Sequence, residues 1–216
     1  MFDSTSISLA ILATGVLAAA LTSGNGASEP VGQAIAVLQN GNTAERRQAA
    51  EVLARLGEPR AIPPLARALR DPDQLVRAMA EQALWSIWHH SGKAEVDARL
   101  QDGIIEMQRG ALERAVAIFT EVIELAPDFA EGYNKRATTY YMMQEYEQSI
   151  RDCEKTIALN PIHFGALSGT GLNYLGLREP RKALEYFERA LEANPNMPQI
   201  QAYIEAIRKF LRDQSL

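Results

Sequence analysis

Thiol chemistry has almost nothing to work with in this sequence, because Cys153 is the one cysteine among 216 residues. An internal disulfide is excluded, and so is any metal site built from paired cysteines. Positive charge is in the minority: 22 Lys and Arg face 27 Asp and Glu, giving a net charge of −5. A general nucleic-acid binder needs a basic face to replace phosphate counterions, so this balance argues against one. Long apolar runs are scarce. The one at residues 7–21 falls short of the roughly 20 residues that a membrane-spanning helix needs. Also missing are a Ser, His, Asp order, a phosphate-cradling Gly loop and a zinc-binding helix motif. The expectation is a protein that is not an enzyme and carries no cofactor or metal.

What is present is a ladder of prolines. Pro127, Pro161 and Pro195 recur at a constant interval, and each follows a stretch with helical apolar spacing. Proline lacks the N–H and its ring clashes with the preceding turn, so a proline at fixed phase marks the end of a recurring helical unit. In the last copy Leu167, Gly171 and Tyr174 share one face, followed after a polar turn by Ala183, Phe187 and Ala190. The middle copy keeps the frame with Tyr133, Ala137 and Tyr140, then Ser149, Cys153 and Thr156. The first copy has Ala115, Phe119 and Val122, but puts Arg99 and Asp102 where bulky residues are expected while retaining Gly103. Cys153 stands at the phase of Phe119 and Phe187, so it reads as a buried apolar group rather than a nucleophile. The stretch at 198–212 keeps Ile200, Ile204, Ile207 and Leu211 on one stripe and reads as a capping helix.

This unit of helix, turn and helix resembles the tetratricopeptide repeat family, with the third copy fitting best. The resemblance implies an all-α, right-handed α-solenoid of stacked antiparallel hairpins. The first helix of each hairpin would line a concave groove. It places Glu131, Asn134, Lys135, Thr138, Tyr141 and Met142 on that groove beside Ser168, Leu172 and Leu175, as candidate contacts for a peptide or protein segment. The basic residues that some relatives use to clamp a chaperone tail are absent from the third copy, where Gly165 and Gly169 stand instead. Together with Gly171 these make a glycine-rich helix, each interior glycine costing about 1 kcal/mol relative to Ala. Gly165 and Gly169 serve either close packing or close approach of a bound segment. Arg136 and Tyr140 read as a solvated cation and an inter-repeat ring.

Between residues 30 and 88 a second periodicity aligns Leu38 with Leu69, Arg46 with Arg77, Ala49 with Ala80 and Leu53 with Leu84. Helices are expected at 31–39, 44–56, 62–69 and 75–88, with Pro63 and Pro64 in a first turn, where a missing N–H costs little. This region resembles short HEAT repeats of the kind also seen in phycobilin lyase subunits. The expected division is 1–29 as a signal peptide or membrane anchor with a linker, 30–92 as HEAT-like repeats, and 93–216 as three tetratricopeptide repeats with a cap. Trp85 and Trp88 are expected to receive the first tetratricopeptide helix. Adjacent His89 and His90 point about 100° apart on a helix, so they read as a helix-end pair rather than metal ligands.

The function expected from the sequence is a non-catalytic scaffold or adaptor that takes a protein or peptide in its groove, exported to a bacterial periplasm or membrane-associated through residues 7–21, with a cytoplasmic location as the alternative. The alternative, prompted by the HEAT resemblance, is an accessory lyase or chaperone-like factor for a chromophore protein.

Overall fold

A computed structural model of the chain describes residues 28–214, all of whose regular structure is helical. The segment at 7–21 lies outside the described residues. Contacts divide the chain into two compact units, the first ending at Ile87 and the second beginning at Trp88.

The first unit contains α1 (Ser28–Asn40), α2 (Thr43–Leu56), a 3-10 turn (Pro59–Ala61), α3 (Ile62–Ala68) and most of α4 (Gln74–Trp88). Asn42 caps α2 in a reciprocal box: its side chain accepts from the Glu45 amide while the Glu45 carboxylate accepts from the Asn42 amide. Gly57 closes α2 in the left-handed conformation. The aligned arginines do the same work. Arg46 donates to the Gly41 carbonyl at 3.0 Å and Arg77 to the Asp71 carbonyl at 2.8 Å, each tying its helix back to the turn before it. Arg46 and Arg47 also fork onto Asp71 and Asp73, and the Arg47 hydrogen bonds hold the Asp73 carboxyl down at about 2.

The second unit contains α5 (Ala94–Gln108) with α6 (Leu112–Leu125), α7 (Ala130–Met142) with α8 (Tyr146–Leu159), α9 (Phe164–Gly176) with α10 (Pro180–Ala193), and the single helix α11 (Pro198–Asp213). Pro127, Pro161 and Pro195 each follow the residue that closes a hairpin. There the amides of Ala126, Asn160 and Asn194 make the same last-turn bond, to Val122, Thr156 and Ala190. The turn inside each hairpin repeats as well. Gly110, Gln144 and Arg178 all have φ between 60° and 79°, and the next amide reaches back to Glu106, Tyr140 or Tyr174. That is the reach-back bond of a left-handed helix end, made twice without glycine.

Small and large residues alternate across the hairpins. A Cβ on Gly103 would lie 2.5 Å from the Phe119 ring, and one on Gly171 would lie 2.5 Å from the Phe187 ring. These glycines are what let each helix pair close around a fully buried phenylalanine. The middle hairpin has Ala137 and Cys153 at the same two places, both buried. One methyl is added where a ring is lost. Burial pushes the Cys153 thiol up to about 12, in keeping with an apolar role.

Val96 and Leu100 pack into their own hairpin with Ala115, Phe119 and Val122, and Trp88 stacks on His163 at 4.6 Å and tilts against Phe164. One expectation is corrected. Arg136 is not a solvated cation. It forks onto the buried Asp152 at 2.7 and 2.9 Å and donates to the Thr120 hydroxyl, joining α6, α7 and α8.

Candidate functional site

Helices α7 and α9 are the first helices of the second and third hairpins, and a crevice of about 180 Å³ opens between them down to α8. It brings together five of the residues named from sequence: Asn134, Thr138, Tyr141, Ser168 and Leu172. Gly165 and Gly169 leave its α9 wall bare, and Ala137, Ser149, Cys153 and Asn173 form its depth. Tyr141 is exposed and stands against Tyr146 with ring centres 5.9 Å apart.

The other four nominated residues do not line this crevice. Met142 is exposed beyond its rim. Leu175 borders a separate, larger hollow of about 520 Å³ with Tyr203, Ile207 and Phe210 of α11. Glu131 and Lys135 form something else. The Glu131 side chain is buried, and its carboxylate collects the Lys135 ammonium at 3.1 Å, the Asn134 amide at 3.1 and 3.2 Å, the His163 ring at 3.1 Å and the His89 ring at 3.4 Å. Burial alone would push this carboxyl toward its neutral form. The His163 hydrogen bond and the Lys135 charge outweigh it and hold the group at about 2.

The tautomer of His163 follows from its contacts. Nδ1 accepts from the Ala166 amide at 3.0 Å, capping α9, so the ring proton sits on Nε2 and is donated to Glu131. Phe129 and Met197 occupy the matching cap positions of α7 and α11 without a side-chain cap bond. A polar residue at an apolar phase was therefore the available signal for His163, and sequence reasoning passed over it. For His89 no such signal exists, since Glu131 lies far along the chain.

Ligand chemistry around these groups is narrow. Among the described residues no cluster of His, Cys, Asp and Glu could hold a metal ion, and no helix is long and apolar enough to cross a membrane. The aliphatic hydroxyls at the crevice are already committed: Thr138 donates to the Asn134 carbonyl, Ser168 to the Gly165 carbonyl and Ser149 to the Ala137 carbonyl.

Comparison with known proteins places both halves. A HEAT repeats model matches residues 4–118, running past the first unit into α5 and α6, and a tetratricopeptide repeat model matches residues 164–197, the third copy. A TPR repeat-containing protein of Rhizobium etli is 35% identical over 128 residues, covering 58% of this chain and 61% of that protein. The chain thus spans less than two thirds of this relative. Among solved structures, the Sgt2 TPR domain from Aspergillus fumigatus superposes with a TM-score of 0.54 at 22% identity, over 57% of this chain and 83% of that one. The first TPR of Spaghetti (RPAP3), bound to HSP90 peptide SRMEEVD, gives 0.53 at 22% identity, over 54% and 93%. These likenesses concern the fold.

Proposed function

We infer, from the premise that this chain is a tetratricopeptide repeat protein with an N-terminal HEAT repeat region, that it is a non-catalytic interaction module. It would take a polypeptide segment on the face shared by α7 and α9. The observation that carries this reading is the crevice itself, where Asn134, Thr138, Tyr141, Ser168 and Leu172 meet beside two helical glycines. Exposed tyrosine gives broad contact at low entropic cost, and bare helix wall lets another backbone approach. Solved structures that share this fold include the Spaghetti domain bound to HSP90 peptide SRMEEVD and the complex of the TPR2B domain of yeast Sti1 with pHsp70.

The electrostatics differ from a site waiting for a carboxylate. Asn134 and Lys135 already hold the internal Glu131 carboxylate, so the segment is captured by shape and hydrogen bonding rather than by a free cation pair. For the same reason, removing Asn134 and Lys135 would strip donors from a buried anion and confound binding with stability. Gly169→Leu is the cleaner probe. A Cβ there meets only the Cys153 sulfur, at 3.5 Å, an ordinary contact, so the helix accepts a side chain at the position where it borders the crevice. Random peptides displayed and selected on the immobilised wild type should lose at least tenfold in affinity for Gly169→Leu. Peptides that bind both forms equally would contradict the proposal.

The comparisons give no support to the chromophore alternative. Export or membrane association through residues 7–21 is carried as a proposal on the apolar character of that run. Mass measurement of the mature N-terminus tests export: cleavage near the small residues Ala18 to Ala20 is expected, and an intact Met1 in the cytoplasmic fraction contradicts it.

A further inference from the structure

Asn173 sits at the bottom of the crevice, 1% exposed. Its Nδ2 donates to the Ser149 hydroxyl at 2.8 Å and to the Gly169 carbonyl at 2.9 Å. The amide cannot be turned over, because Oδ1 would then face the Gly169 carbonyl, acceptor against acceptor, and the Ser149 proton is already given to Ala137. Oδ1 is therefore left as a buried acceptor with no donor from the protein. Such groups are uncommon and call for a partner.

The rest of the crevice wants the same thing. Thr138 and Ser168 have spent their protons on backbone carbonyls, so they too face outward as acceptors. The Asn134 amide is turned to Glu131. No carboxylate is free to meet a cation, since Glu131 is ringed by its own donors and Asp152 is held by Arg136. At this depth an occupant must bring N–H groups without charge, while the Tyr141 hydroxyl at the mouth can donate to its carbonyl. Its room, about 180 Å³, lies where the α9 wall at Gly165 and Gly169 meets Cys153, a smaller side chain than the Phe119 and Phe187 of the outer hairpins. That is far more than the 10–15 Å³ or so that one water centre requires.

We propose that this crevice is a recognition pocket for a primary amide, the side chain of an Asn or Gln on the bound polypeptide, with Asn173 Oδ1 as its principal acceptor. The proposal rests on the peptide-binding reading above and specifies the chemistry of the segment. One amide N–H bonds Asn173 and the second is shared with the acceptors of the wall, while the amide carbonyl faces the Tyr141 side of the mouth.

The test uses the full chain, labelled with nitrogen-15, and propanamide as the probe. Saturable shifts of the Asn173 side-chain and Gly169 backbone signals are expected. N,N-dimethylpropanamide, which keeps the carbonyl but has no N–H, and propionate should each bind at least tenfold more weakly. Equal response to all three, or no saturable response at Asn173, would overturn the pocket. The double variant Ala137→Gly, Cys153→Phe restores the pairing of the outer hairpins and fills the space; it should keep its thermal transition and lose the propanamide response. A response that survives in a folded double variant also overturns the proposal. Displayed peptides separate this from the broader reading. If selected peptides depend on Gly169 but tolerate Asn→Asp and Gln→Glu exchange, the pocket is wrong and groove binding stands. If no peptide is selected, groove binding fails while the propanamide titration still decides the pocket.

Discussion

Glu131 carries the largest electrostatic commitment in the second unit, and its consequences can be read from solution. Its carboxyl is held at about 2, below the unfolded value of about 4.3, so its contribution to stability is complete above pH 5 and is lost as pH falls toward 2. Glu131→Gln removes the buried charge and leaves the half-buried Lys135 ammonium beside it without its partner. A loss of about 3 kcal/mol in denaturant unfolding is expected at pH 7, with a flatter acid limb than the wild type between pH 5 and 2. Cys153 shifts the opposite way. Its thiol is raised to about 12, so unfolding is favoured as pH rises above the unfolded value of about 8.5, and an aromatic disulfide reagent should leave the native thiol untouched at pH 8. Rapid labelling under native conditions would show that the crevice admits more than its size suggests. None of the Glu131 network was legible beforehand. The family resemblance puts Glu131 and Lys135 on the groove, and it cannot say that His163 and His89 arrive from other parts of the chain.

Helix ends and helix contacts were legible to different degrees. The prolines marked every hairpin boundary, because a missing N–H acts locally. The small residues at Gly103 and Gly171 were also readable, as their phase is fixed by the ring they face. The left-handed turns at Gln144 and Arg178 were not, since neither side chain advertises a positive φ. Gln144→Gly relieves a left-handed cost of about 1–2 kcal/mol and should raise the thermal midpoint, against a smaller loss from unfolded-chain entropy. Two glycines of α9 should respond in opposite senses. Gly171→Ala drives a methyl into the buried Phe187 ring and should cost about 1–3 kcal/mol. Gly169→Ala meets only an ordinary contact at Cys153 and gains helix propensity of up to about 1 kcal/mol, so its midpoint should stay level or rise. Calorimetry of the pair decides whether glycine in this helix answers to packing at one position and to access at the other.

At the scale of the second unit, successive hairpins pack their apolar faces together and leave a crevice between the first helices α7 and α9, the kind of surface that stacked repeats present. The all-α class was readable throughout because periodicity needs no partner information, and the third copy was readable most clearly of all. The crevice was only half readable: its rim followed from repeat phase, whereas its depth depends on Asn173 and on the exchange of a ring for a thiol at Cys153. The most direct measurement is the dissociation constant of one selected peptide for wild type and for Gly169→Leu, taken beside their thermal midpoints. The account predicts at least tenfold weaker binding with midpoints unchanged. Equal affinity, or a loss of binding that merely follows a loss of folding, would contradict it.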